Sequence, residues 1–320
     1  MYFYLIGIDY KTVPLGVRES FYRQRLEIID FWRAKEAALL FTCNRIEIYA
    51  TGNNEDTAFG YITEFSKNFP DFFKYAYVKY GEKEVFQHAL RLASGLESQL
   101  AGELQIFQQL RNWRIQRYLP FALDGLWKKV LYLSEVIRLQ SGLNDDENNI
   151  ASVVYADLNK HLNSARPQEI IVVGTGKIAE LLAKYRQRGI RLNFAAHKNY
   201  QKAKELAKSS GGRAFLLEDL AQVLAKAGAL ISATASPHYV LRKEDFFNAS
   251  HPFYVYDLAL PRDIEPAVRD LPGIFLRNLD DLKKVIRQFN QRNQEKIQLA
   301  SRLVEEAIEG YQEVAYAKNY

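Results

Sequence analysis

Short apolar runs rich in aromatic and β-branched residues predict strands in the first part of the chain. One run covers residues 3–10 (FYLIGIDY) and stops at a Lys-Thr-Val-Pro turn. A second pattern, residues 37–52 (AALLFTCNRIEIYATG), has an apolar run and an alternating run on either side of Thr42 to Arg45. The pattern breaks at those four residues, so their side chains can face a cleft.

Apolar residues recur three and four positions apart from residue 83 to residue 140, which predicts helices. Residues 143–149 (LNDDENN) are typical of a loop, and Asn149 is a good N-cap for a further helix. We therefore predict an α/β protein with an N-terminal α+β catalytic domain over residues 1–160, followed by a boundary near Pro167.

The second half alternates strands and helices. Residues 169–211 give a continuous apolar strand, a Gly-rich turn, an amphipathic helix, a second strand and a second helix. Later apolar runs (ALISATASP, FYVYDLALPRD and GIFLRNLDDL) are expected to be strands of the same parallel sheet. These patterns predict a Rossmann-type nucleotide-binding domain over residues 167–276 and a long C-terminal linking helix within residues 277–320.

The composition narrows the class of protein. Of 320 residues 48% are hydrophobic, and the single cysteine excludes an internal disulfide and a cysteine-rich zinc site. We predict no metal site. The N-terminus lacks the features of a signal peptide and no apolar run reaches membrane-spanning length, so a cytoplasmic protein is expected. A net charge of +5 is compatible with a nucleic-acid partner but does not identify one.

A dinucleotide fingerprint follows the first strand of the second half. The pattern Gly-x-Gly-x-x-Gly/Ala is satisfied, with the strand before it and the helix after it. Its glycines allow a tight turn and close approach to a pyrophosphate, while the helix N-terminus supplies N–H groups. The alternative is a Gly-rich turn that binds nothing. The predicted cofactor-binding residues are Gly174, Thr175, Gly176, Lys177, Ile178 and Ala179.

The residues after the second strand favour NADPH over NADH. An NAD site usually has an acidic residue there for the ribose 2′-hydroxyl. This chain has His197 and Lys198, with Lys202 further along, and positive charge suits a 2′-phosphate. A solvated helix start is the alternative explanation, more so for Lys202 than for Lys198.

The single thiol, Cys43, lies two residues from Arg45. A neighbouring cation lowers the pKa of a thiol and could activate it as a nucleophile, although a lone cysteine is more often a core residue. Together with a nicotinamide site, a nucleophilic thiol suggests a thioester that is reduced to an aldehyde by hydride transfer.

Motifs along nearly the whole chain resemble the glutamyl-tRNA reductase family. They are, in order, GIDYKTVPLGVRES, TCNRIEIY, HALRLASGLESQLAGELQI, VVGTGKIAELLAK, LISATASPH and LALPRDIEP followed by LPGIFLRNLDDL. The resemblance implies NADPH-dependent reduction of glutamyl-tRNA to glutamate-1-semialdehyde, the first step of tetrapyrrole (5-aminolevulinate) biosynthesis.

The resemblance also implies roles for individual residues. Cys43 would be the nucleophile and His88 a second catalytic residue. Arg45 suits a bidentate grip on a carboxylate. The substrate-binding residues implied by the motifs are Thr42, Asn44, Arg45, Ser98, Glu103, Leu104, Gln105 and Gln109.

The chain departs from the family pattern at several positions. Tyr10 replaces a His, Leu104 replaces a Pro, and His197-Lys198 replaces Asn-Arg, which loses a guanidinium fork. Two alternatives therefore stay open: a non-catalytic paralogue that binds tRNA or a pathway partner, and a reductase of another acyl donor.

The resemblance also bears on assembly. Family members continue past the linking helix into a dimerisation domain, so this chain is expected to be a monomer or a weak dimer. Its expected partners are glutamyl-tRNA and, as a candidate, glutamate-1-semialdehyde aminomutase.

Overall fold

The computed structural model describes residues 1–33, 35, 37–116, 119–145, 147–162, 168–250 and 252–317. The predicted boundary near Pro167 and the last residues (318–320) of the range predicted to hold the linking helix lie outside the described residues. The chain divides into two compact units. The first combines Met1–Asn148 with Gln288–Tyr320, and the second is Asn149–Arg287. Which function belongs to which part of the chain stays a prediction.

Strands and helices follow one another in a mixed order. The strands are β1 Tyr2–Asp9, β2 Ala37–Phe41, β3 Arg45–Gly52, β4 Tyr77–Tyr80, β5 Gln168–Val173, β6 Ile190–Ala196, β7 Ala214–Leu216, β8 Ala229–Ser232, β9 Phe253–Asp257 and β10 Ile274–Asn278. The helices are α1 Leu15–Arg23, α2 Arg25–Trp32, α3 Glu55–Asn68, α4 Pro70–Tyr75, α5 Gly81–Ala93, α6 Leu104–Gln116, α7 Phe121–Ser141, α8 Ile150–Leu158, α9 Lys177–Lys184, α10 Tyr200–Ser209, α11 Leu220–Leu224, α12 Lys283–Arg292 and α13 Gln294–Ala317.

The first unit contains an antiparallel sheet with the order β2-β3-β1-β4. Strand β1 is apolar on both faces because each face packs on a separate core. Phe3 and Leu5 belong to a core that includes residues of α5 and α7. Tyr4 and Ile6 belong to a core formed with α1, α2 and α3. A strand buried on both faces reads as a continuous apolar run, which explains the sequence pattern.

The predicted helical region from residue 83 to residue 140 is interrupted between α5 and α6. Residues 94–103 form turns, and both Gly95 (φ +82°) and Gly102 (φ +80°) have left-handed backbone conformations. Residues with a Cβ rarely adopt such φ values, so glycine is needed at both positions. The expectation that Ser98 and Glu103 lie on a helix is therefore wrong: both belong to this loop.

The second unit contains a parallel sheet with the order β10-β9-β8-β5-β6-β7. This is the Rossmann-type order. From β5 the chain adds β6 and β7 on one side, and it then returns to add β8, β9 and β10 on the other side, so the strand order reverses between β5 and β8. Ligands of such sheets bind outside the carboxyl ends of the strands at this reversal. The prediction of a Rossmann-type sheet is confirmed.

The C-terminal tail is helical and divides at Asn293 into α12 and α13. The Asn293 side chain donates a hydrogen bond to the Phe289 carbonyl (3.3 Å), so it competes with the regular helical bonds. In α13 the apolar residues Ala300, Val304 and Ile308 are buried in the core that contains α5 and α7. Among the described helices, none offers an apolar stretch of membrane-spanning length.

Candidate active site

Cys43 lies on the turn between β2 and β3. The Thr42 hydroxyl accepts hydrogen bonds from the backbone N–H groups of Asn44 (3.2 Å) and Arg45 (3.1 Å), which holds the turn closed. The buried Arg18 side chain donates to the Cys43 carbonyl (3.1 Å). These contacts fix the backbone on both sides of a half-buried thiol. Thr42 therefore shapes the turn that carries the thiol.

The surroundings of the Cys43 thiol favour its protonated form. Burial raises the pKa of Cys43 to about 11, and the negative charge of Glu103 also raises it, against smaller opposite effects of Arg18 and Arg45. Arg45 thus acts on the pKa of the thiol in the direction that its sequence position suggested, but burial outweighs it. A base must take the proton when a substrate is bound, or the substrate must lower the pKa of the thiol.

Arg45 is buried and directed at Glu47. Its Nη1 lies 2.6 Å from Glu47 Oε1, and its Nη2 donates to the Glu97 carbonyl. Because residues two apart on a strand share a face, the sequence Arg-Ile-Glu carries both charges to the same side of β3. A direct grip of Arg45 on the substrate carboxylate stays a prediction.

Glu47 is the centre of a buried network that the sequence analysis missed. It is 0% exposed and accepts hydrogen bonds from Tyr77 (2.6 Å) and Tyr49 (2.7 Å), while His88 Nε2 lies 2.9 Å from its Oε1. Burial alone would raise the pKa of Glu47, but Arg45 and His88 outweigh it and hold that pKa well below its usual range. Since Glu47 is charged, a neutral His88 carries its proton on Nε2 and leaves Nδ1 as an acceptor.

His88 and Tyr77 also line a cavity of about 480 Å³ in the first unit. Three cationic side chains share this lining, of which Lys11 and Arg91 pair with Glu97 at 2.5 and 2.7 Å. The third, Lys79, forms no ion pair with any described residue. The same lining carries three carboxylates, so the cavity can accept a polar group.

Arg138 organises the loop that carries Ser98 and Glu103. This buried guanidinium donates to four backbone carbonyls, those of Ala93 (2.9 Å), Gly102 (3.0 Å), Leu143 (3.1 Å) and Glu103 (2.8 Å). A Cβ at Gly95 would lie 2.7 Å from its Nη2, so a side chain there would displace it. Burial raises the pKa of Glu103 to about 7, although Arg138 lowers it. An arginine on the apolar face of α7 is a sequence signal that was not used.

Two predicted substrate-binding residues carry polar atoms without partners. Asn44 Oδ1 and Gln105 Nε2 are buried and have no hydrogen bond to any described residue. Buried polar atoms usually have partners, and unpaired ones often mark a ligand site. The Ser98 carbonyl accepts a bond from the Tyr10 hydroxyl (3.3 Å). Leu104 is half-buried and Gln109 is exposed on α6, and their contacts with a substrate stay predictions.

The glycine turn of the second unit fits a dinucleotide. Gly174 has φ +108°, and a Cβ there would lie 2.7 Å from the Ala233 carbonyl oxygen, so only glycine is accommodated. Gly176 is the N-cap of α9, whose first N–H groups have no side-chain cap and can bind a phosphate. Ala179 is buried where the helix meets the sheet. Thr175 and Ile178 are half-buried, and the exposed Lys177 lies 3.5 Å from Glu180.

Positive charge lies at the carboxyl end of β6. His197 and Lys198 are exposed there, and Lys198 forms no ion pair within the described part of the chain. Lys202 lies 2.5 Å from Glu180, so its charge is already balanced. Lys198 is therefore the better candidate to meet a 2′-phosphate.

Two family models match the chain. Residues 6–117 match the N-terminal domain of glutamyl-tRNAGlu reductase, and residues 157–285 match shikimate/quinate 5-dehydrogenase. The first match contains the thiol turn and the second contains the glycine turn.

Several relatives are also similar over most of this chain. A glutamyl-tRNA reductase of Thermus thermophilus is 33% identical and covers 97% of this chain and 80% of its own length. Glutamyl-tRNA reductase of Bacillus subtilis is 30% identical over 96% of this chain and 72% of its own. The solved glutamyl-tRNA reductase from Methanopyrus kandleri is 26% identical, with a TM-score of 0.50 over 98% of this chain and 80% of its own.

Proposed function

The chain belongs to the glutamyl-tRNA reductase family, and from this premise we propose that it reduces glutamyl-tRNA with NADPH to glutamate-1-semialdehyde, the first step of tetrapyrrole biosynthesis. The observation that carries the proposal is the half-buried Cys43 thiol on a fixed turn, next to the unpartnered oxygen of Asn44. An assay of the purified chain with glutamyl-tRNA and NADPH tests it: aldehyde formation is expected, and no aldehyde at any enzyme concentration would overturn it.

The reaction begins on the thiol. Cys43 loses its proton, its sulfur attacks the ester carbonyl carbon, and the bond to the tRNA 3′-terminal oxygen breaks, with a proton going to that oxygen. A glutamyl thioester of Cys43 remains. When bound, NADPH supplies the hydride that converts the thioester to the aldehyde and releases the sulfur. The thioester thus divides one difficult reduction into two easier steps.

The predicted site residues of the first unit would hold the substrate and move protons. His88, oriented by Glu47 through Nε2, has Nδ1 free to accept or return a proton. The oxygen of Asn44 can accept a hydrogen bond from the substrate amino group, and the amide of Gln105 can donate one to a substrate oxygen. Ser98, Glu103, Leu104 and Gln109 complete the proposed substrate contacts. Thr42 and Arg45 support the turn and the Glu47 network.

NADPH is expected to bind more tightly than NADH. Lys198→Glu should weaken NADPH binding by about tenfold and NADH binding much less, because it replaces a cation opposite the 2′-phosphate by a repelling charge. Fluorescence titration gives both dissociation constants. Lys208→Glu, the same charge change in the last turn of α10, is the control. Equal affinities of the wild type for both cofactors would contradict the assignment.

We further propose that the chain is a monomer or a weak dimer. The apolar residues of α13 that could pair with another chain are buried within the first unit, and Tyr311 stacks on Phe86 with ring centroids 4.2 Å apart. Light scattering at micromolar concentration should give the mass of one 37.0 kDa chain. A stable dimer would mean that another surface associates.

The substrate indicates where the protein acts, and the product indicates a protein partner. Its substrate is an aminoacyl-tRNA, so we place the reaction in the cytoplasm. The aldehyde is reactive, and the aminomutase that uses it is the proposed protein partner. Co-elution of the two purified proteins would support this pairing, and separate elution at micromolar concentration would argue against it.

A further inference from the structure

The segment that follows β8 lies against the glycine turn. A Cβ at Gly174 would be 2.7 Å from the Ala233 oxygen and 3.3 Å from Thr234 Cγ2. The backbone N–H of Ala233 donates to the Val173 carbonyl (3.0 Å), which ties this segment to the end of β5. Because β5 and β8 are adjacent at the reversal of the sheet, the segment forms a wall of the crevice where a dinucleotide binds.

The carboxylate of Asp263 holds this segment in place. Its Oδ2 accepts hydrogen bonds from the Ser232 hydroxyl (2.7 Å) and the Thr234 backbone N–H (2.7 Å). Its Oδ1 accepts one from the Thr234 hydroxyl (2.5 Å). The same hydroxyl accepts a bond from the Ser236 N–H (3.1 Å), so the contact extends along the segment. All of these donors belong to β8 or to the residues directly after it.

Asp263 is itself held by the end of β9. The carboxylate of Asp257 accepts hydrogen bonds from the N–H groups of Ala259 (3.1 Å), Asp263 (3.3 Å) and Ile264 (2.9 Å). The Asp263 carbonyl also accepts bonds from Val240 and Leu241 at 2.6 and 3.0 Å. The backbone that presents Asp263 is therefore fixed by several bonds, and its side chain can impose a position on the β8 segment.

We infer that Asp263 is a positioning residue for the nicotinamide cofactor, acting through Thr234 on the wall beside Gly174. This rests on the proposed function. Asp263 is 0% exposed, so its carboxylate does not reach a bound dinucleotide. Its effect on binding must pass through the residues that it holds, of which Thr234 is half-buried and beside the glycine turn.

Two substitutions of Thr234 separate its hydroxyl from its shape. Thr234→Val keeps the size and the backbone N–H bond to Asp263 Oδ2, but it loses the two hydroxyl bonds, which join Thr234 to Asp263 Oδ1 and to the Ser236 N–H. It should weaken NADPH binding by about fivefold or more. Thr234→Ser keeps the hydroxyl and should bind within about twofold of the wild type. Binding is measured by fluorescence titration, so no turnover is needed. Equal affinity of the valine and serine variants would overturn the inference.

A double-mutant cycle tests whether Asp263 acts through Thr234. Asp263→Asn should weaken NADPH binding by about tenfold, and adding Thr234→Val should weaken it by less than about twofold more. Both changes break the same contact, that between the Asp263 carboxylate and the Thr234 hydroxyl. Additive losses would show that the two residues act independently and would contradict the inference. Hydrogen exchange of the peptide with residues 233–240 should be faster in Asp263→Asn than in the wild type, and unchanged exchange would also contradict it.

Controls distinguish this inference from the proposed function. A wild type that does not bind NADPH would defeat the proposed function itself. A wild type that binds it, together with unaltered binding by Asp263→Asn and Thr234→Val, would defeat only the positioning role. The alkylation rate of Cys43, in the other unit, should be the same in all variants. If Asp263→Asn fails to fold, the Thr234 pair alone decides.

Discussion

Cys43→Ser is expected to lower aldehyde formation from glutamyl-tRNA by at least about a thousandfold, because a serine hydroxyl forms an anion far less readily than a thiol and makes a poorer leaving group. The turn that carries residue 43 is held by the side chains of Thr42 and Arg18, which bond to its backbone, so it should keep its shape. Turnover is measured in a coupled assay, with NADPH affinity and circular dichroism as controls for folding. A variant that retains even a tenth of the activity would exclude the thioester.

Alkylation of the same thiol gives an independent check. Because burial raises the pKa of Cys43 to about 11, labelling by iodoacetamide should be slow at pH 7 and should rise about tenfold per pH unit toward that value. Glu103→Gln removes a negative charge that raises this pKa, so it should speed labelling at a given pH. Bound glutamyl-tRNA should protect the thiol. Labelling at pH 7 as fast as that of a free thiol would contradict the raised pKa of Cys43.

Most strands of the two sheets could be predicted from the sequence because local patterns mark them, whereas β4 and β7 were missed. The run before Gly174 is apolar and unbroken since β5 is buried between two strands and two layers. The glycine turn follows from its spacing and from the strand and helix on either side. Residue Cys43 was located by a motif and by a break in the strand pattern, and both are local features.

The network around Glu47 could not be predicted in the same way because its members come from distant parts of the chain. Tyr77 on β4 reaches Glu47 on β3 across β1, and this is possible only because Gly7 on β1 has no side chain: a Cβ there would lie 2.8 Å from the Tyr77 ring. His88 arrives from α5. The interruption at residues 94–103 was missed for a related reason: helical spacing continues through the loop, and only the two left-handed glycines reveal it.

Glu47→Gln is expected to lower the free energy of unfolding by about 3–5 kcal/mol, because Arg45 then stays buried without an opposite charge. Urea unfolding followed by tryptophan fluorescence measures this, since Trp127 lies in the core of the first unit. Asp30→Asn, which removes a carboxylate from an exposed pair with Arg33, is the matched control and should change little. Comparable losses in the two variants would contradict the buried charge pair.

The pH dependence and a compensating variant sharpen the same prediction. The pKa of Glu47 is lowered in the folded state, so its stabilising effect is complete above the usual pKa of a glutamate and is lost only as the pH falls toward the lowered value. The difference in the free energy of unfolding between wild type and Glu47→Gln should thus be constant from about pH 6 to 8 and shrink in strong acid.

Adding Arg45→Met to Glu47→Gln should recover part of the lost stability, because it removes the unpaired charge. Activity should not return, since His88 would still lack the carboxylate that sets its tautomer. Recovery of both stability and turnover would show that the network serves the fold alone.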